Sequence, residues 1–181
     1  MKKLISVLLA VVFLATALAG CGSGAKDEFQ KNVEALKNDA KMNVSFMSVL
    51  MNYEAEYMKS NGIEDDTHEA EVAAAANLLY DKSVEQLKAS GKDTEAATIE
   101  SISDRYEEMD KLWQDINGNE SGKEKYPELY QEAANLYVTC KSIMGLAIGP
   151  YGPGSKFADD SEKLVNFAKE TIEKIEGLLN G

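Results

Sequence analysis

The sequence predicts an all-α fold, an antiparallel up-and-down bundle of about five helices, and three observations carry that prediction. Apolar residues recur every three or four positions over long stretches, no stretch alternates with period two, and glycine and proline gather at a few breaks. The breaks fall at Asn61-Gly62, at Gly91-Lys92, across Asn117 to Pro127 and across Gly149 to Gly154.

The first segment runs from about Asp27 to Ser60, with Phe29, Val33, Leu36, Ala40, Met47, Met51 and Met58 near a 3.6-residue repeat. The second, roughly Asp66 to Ser90, carries Val72, Ala76, Leu79, Ser83 and Leu87. In the third, about Thr94 to Ile116, the stripe is Ile99, Ile102, Tyr106, Met109, Trp113 and Ile116. The fourth, Pro127 to Ile148, has Leu129, Ala133, Leu136, Cys140, Ile143 and Ala147 in the same rhythm. The fifth, about Lys156 to Leu179, offers Phe157, Leu164, Ala168, Thr171, Ile175 and Leu178.

Boundary chemistry agrees. Asp66 and Glu69 have capping-box spacing, Pro127 suits a first helical turn, and Gly62 and Gly91 suit C-terminal caps. Short linkers make successive helices antiparallel neighbours. Residues 27–181 are therefore read as one helical-bundle domain, with a first helix long enough to bend or to pair with more than one partner.

Ahead of that domain, Met1-Lys2-Lys3 precedes an uncharged apolar run from Leu4 to Ala19, the layout of a secretory signal peptide. The run is about 16 residues, short for a span that needs roughly 20. It ends in Leu18-Ala19-Gly20-Cys21, which resembles the lipobox of bacterial lipoproteins. The resemblance implies that residues 1–20 are a lipoprotein signal peptide, with Leu18, Ala19 and Gly20 recognised by the signal peptidase. It further implies that Cys21 receives a diacylglycerol and that residues 21–26 form a short tether. Two acyl chains are what stable anchoring requires. The expected location is the extracytoplasmic face of a cell membrane, with the membrane itself as a partner through the lipid.

The formal charge is −12, and removing Lys2 and Lys3 with the leader leaves −14. A surface this acidic repels phosphate backbones, so no nucleic-acid partner is expected. With Cys21 lipidated, Cys140 is the remaining cysteine, and its place on an apolar stripe predicts a small buried core residue. A catalytic thiol would want an activating histidine, and the chain has only His68.

The run Glu64-Asp65-Asp66-Thr67-His68-Glu69-Ala70-Glu71 concentrates carboxylates beside that histidine. Asp65, Asp66, His68 and Glu69 are the candidates for a hard divalent cation, but EF-hand spacing is missing and acids are favoured at a helix N-terminus anyway, so no metal site is assigned. Glu107-Glu108 with Asp110, and Asp159-Asp160 with Glu162, have the composition of a carboxylate pair but read as solvated faces. Most tyrosines sit beside core positions. Tyr126, Tyr130 and Tyr151 flank loops and are the residues offered as a binding surface. Gly149-Pro150-Tyr151-Gly152-Pro153-Gly154 reads as a sharp reversal between the last two helices.

No phosphate loop, nucleophile elbow, zinc signature or Cys-x-x-Cys is present, so no catalytic residue and no cofactor is assigned. The aromatic-rich stretch Tyr126 to Tyr137, the Gly-Pro-Tyr-Gly-Pro-Gly reversal and the acidic entry Asp159-Asp160-Ser161-Glu162 resemble the end of small helical lipoproteins of Gram-positive bacteria. That resemblance implies an envelope location and no reaction. The function expected is a membrane-anchored, non-enzymatic helical module that binds an envelope protein or peptide. A small-ligand or divalent-metal-binding lipoprotein is the alternative, and a cell-wall hydrolase a second one.

Overall fold

The computed structural model describes residues 26–62, 84–85, 87–93, 96, 102–149 and 153–181. The described residues are almost entirely helical and contain no strand. Helix α1 spans Glu28–Ser60, α2 Ile102–Gly118, α3 Glu120–Lys125, α4 Pro127–Ile148 and α5 Gly154–Asn180.

Local chemistry sets these limits. Asp27 caps α1: its carboxylate accepts the Gln30 amide at 3.1 Å, while the Gln30 side chain accepts the Asp27 amide at 3.3 Å. The helix stops at Asn61 and Gly62, and Gly62 takes φ 72°, a left-handed turn without cost only for glycine. Gly91 does the same after the helical residues 87–89. Pro127 opens α4 as the sequence predicts.

The short α3 lies inside the stretch read as a linker. Asn119 accepts the Gly122 amide at 2.9 Å to start it, and the Tyr126 amide donates to the Gly122 carbonyl at 2.8 Å to end it. Gly122 is buried against the Phe29 ring and Cβ, which leaves no room for a side chain.

Cross-contacts fix the direction of each helix. The Asn43 side-chain NH2 donates to the Met109 sulfur at 3.2 Å, and Gly122, just beyond the end of α2, meets Phe29, so α2 runs antiparallel to α1. Trp113 and Asp110 of α2 meet Tyr130 and Tyr137 of α4 in reverse order. The Glu132–Lys174 pair aligns α5 against α4, and Lys37 and Lys41 reach Glu176 while Gly154 abuts Met58. The four long helices therefore alternate up, down, up, down, and α1 packs on α2, α4 and α5.

The predicted stripes of α1 and α4 are buried throughout. In α5 the stripe is rotated: Val165, Ile172 and Leu179 enter the core, Leu164 is half-buried and Leu178 is exposed. Adjacent apolar pairs, Leu164-Val165 and Leu178-Leu179, leave the helix face undecided in sequence, and packing against α1 and α4 settles it. Of the second segment, Val84 and Leu87 are buried, and the Lys92 ammonium lies 5.3 Å from the Tyr53 ring centre. Its Asp66–Glu69 capping box lies outside the described residues.

Candidate functional site

Several of the sequence candidates lie outside the described residues: Leu18, Ala19, Gly20 and Cys21, the cluster of Asp65, Asp66, His68 and Glu69, and Tyr151. Among the described residues no group of His, Cys, Asp or Glu is arranged to hold a metal ion, and no helix is long and apolar enough to cross a membrane.

Tyr126 and Tyr130 are described, and both turn their faces to the protein. Tyr126 stacks on Phe29 at 5.9 Å, and its hydroxyl donates to Asp27 at 2.9 Å. Tyr130 belongs to a column across the α2–α4 seam, in which Trp113 stands between Tyr130, 5.8 Å away, and Tyr137, 5.0 Å away. Lys123 and Lys141 close the two outer faces of this column. The hydroxyls donate to Asn117 and Asp110. Flat ligands stack on open ring faces, and here those faces are taken. What the column offers solvent is ring edges. Burial, with Asp110 second, holds the Tyr137 phenol above its usual range.

The carboxylate groups are spread over the surface. Asp110 accepts Lys141 at 3.1 Å, and Asp160 accepts Lys156 at 2.8 Å and Lys163 at 3.4 Å. Glu107, Glu108, Asp159 and Glu162 are exposed. Across the α1–α2 seam, burial and then the nearby Glu108 raise the Asp39 carboxyl, with Arg105 opposing them.

The core holds polar groups that sequence reading passed over. Glu54 is fully buried with neither oxygen hydrogen-bonded, and burial pushes its carboxyl up to about 9. It sits three residues after Met51 and four before Met58, so the signal was an acid on the apolar stripe. Cys140 is buried as expected, and burial pushes its thiol up to about 12. A protonated thiol sealed in the core is a packing residue.

The seam between α4 and α5 has a different character. The exposed large apolar side chains among the described residues are Val138, Ile148, Phe167 and Leu178, all on these two helices. Val138 is 60% exposed and Phe167 44%. Val138 follows Glu132 by six residues and Phe167 precedes Lys174 by seven, so the antiparallel Glu132–Lys174 register sets them at one height.

Open depressions lie on either side of this pair. One, of about 520 Å³, is bordered by Ser142, Gly145, Gly149 and Leu164; the other, of about 420 Å³, by Gln131, Lys174, Gly177 and Leu178. No family model, no curated protein and no solved structure matches the chain.

Proposed function

We propose that the chain is a lipid-anchored helical interaction module of the cell envelope. In this reading Cys21 carries the lipid, the bundle stands outside the membrane on the tether of residues 21–26, and a protein or peptide of the envelope docks on it. The lipobox-like Leu18-Ala19-Gly20-Cys21 supports the anchor. The observation that carries the binding role is the gathering of exposed apolar side chains on α4 and α5. Scattered single apolar residues are ordinary on a surface, whereas Val138 and Phe167 stand exposed at one height between two open depressions, an arrangement suited to an interaction site.

The test compares wild type with Cys21→Ala for labelled-palmitate incorporation and for partition into membranes. Loss of label and release of the variant support the anchor; unchanged label and partition refute it. Photo-crosslinking from Val138 against crosslinking from Glu107 then addresses the docking role. An adduct that forms from Val138 alone supports it, and equal or absent adducts count against it.

A further inference from the structure

Resting on that reading, we infer that the α4–α5 seam receives one amphipathic helix with basic flanks, supplied by a partner protein. Three features of the seam specify this occupant.

The first is spacing. Gln131 in one depression and Gly145 at the other are fourteen positions apart on α4, about 21 Å at the α-helical rise. A partner helix of matching pitch places side chains two heptads apart into the depressions and lays its middle turn on Val138 and Phe167. Four turns of helix span that length, and a single small molecule does not.

The second is the pair of glycines at the depressions. Gly122 and Gly154 are hemmed in by the chain's own atoms, but a Cβ built on Gly145 or Gly177 meets nothing within 4 Å. Both are exposed helical residues, where glycine is less favourable than alanine by up to about 1 kcal/mol. The bundle's packing gives no reason for them. Close approach of another backbone does.

The third is charge. The seam's cations already have carboxylate partners within the chain: Lys174 pairs with Glu132, and Lys163 shares Asp160 with Lys156. Glu128, Asp159 and Glu170 remain at its rims as exposed acids, on a chain of net charge −12. Lysine or arginine flanking the apolar face of the incoming helix satisfies these rims. A second copy of this acidic chain would set like charges together.

The experiment uses the full lipidated chain in phosphatidylcholine nanodiscs, with empty discs as reference. Two labelled amphipathic peptides of about 18 residues share the apolar spacing and differ in flanks, one lysine and one glutamate. Anisotropy is expected to show the lysine peptide bound about tenfold more tightly. Filling the depressions with Gly145→Leu and Gly177→Leu is expected to weaken it about tenfold, with the thermal midpoint unchanged or raised. Should the filled variant fold poorly, Val138→Ser with Phe167→Ser reads the same seam by removing only exposed groups, again with about tenfold loss.

Equal affinity for the two peptides, or undiminished binding to the seam variants, overturns the proposal. So does self-association of the chain abolished by the same substitutions, because the occupant is then a second copy. Each result stands apart from the palmitate experiment, which alone decides the anchor.

Discussion

The Tyr106 hydroxyl donates to the backbone carbonyl of Cys140 at 2.7 Å, inside the core, and so ties α2 to α4. A carbonyl has two lone pairs, and in mid-helix one serves the helix ladder while the other is free for the phenol. Burial pushes this phenol above its ordinary range, so it stays a donor throughout the usable pH range.

Tyr106→Phe keeps the ring and removes only the bond. The expected loss is about 1 kcal/mol, seen as a lower urea midpoint with unchanged slope. An unchanged midpoint would show that the bond adds nothing net to the fold.

Glu54 makes stability fall with rising pH. Its carboxyl is neutral in the fold up to about 9, whereas its ordinary value is 4.5, so between those values the folded state holds a proton that the unfolded chain has released. Stability drains across that window. Near pH 7 the penalty is about 3 kcal/mol. Glu54→Met is expected to raise the urea midpoint strongly at about pH 8 and much less at about pH 5. A gain of equal size at both would sink the assignment.

Two glycines give opposite answers to alanine. A Cβ on Gly122 would lie 2.8 Å from the Phe29 Cβ, closer than packing allows, and Gly122→Ala is expected to cost about 1–3 kcal/mol. Gly145→Ala enters open space and is expected to stabilise by up to about 1 kcal/mol. Thermal melts of the two variants check both signs.

Cys140 should resist alkylation in the native chain at neutral pH, because its thiol is buried and held protonated. Mass spectrometry after iodoacetamide is expected to show modification only once urea unfolds the bundle. Rapid labelling of the folded chain would place the thiol outside the core.

The bundle was legible in the sequence because apolar spacing and punctuation are local signals. Pro127, Gly62 and the stripes of α1 and α4 needed no tertiary information. α3 was hidden because Gly122 lowers helix propensity, and its compensation is the distant Phe29 ring, which no local window contains. The rotation of α5 was hidden for a related reason, since the choice between Leu164 and Val165 belongs to its neighbours. Tyr126 and Tyr130 stood out as loop-flanking aromatics, but their stacking partners Phe29 and Trp113 lie on other helices. The seam was less visible still. An exposed valine or a glycine open to solvent is defined by what fails to pack against it, and periodicity does not encode that.

Asp27 holds three donors at once: the Gln30 amide of its own helix, the Lys125 ammonium at 3.0 Å and the Tyr126 hydroxyl at 2.9 Å. Where the chain enters the bundle, the first turn of α1 is thus riveted to the α3–α4 corner. A load reaching the chain at Lys26 is shared at once between α1 and that corner. Fraying of that first turn must break the Lys125 and Tyr126 contacts together with the helix's own cap, so the start of α1 and the α3–α4 corner open as one unit.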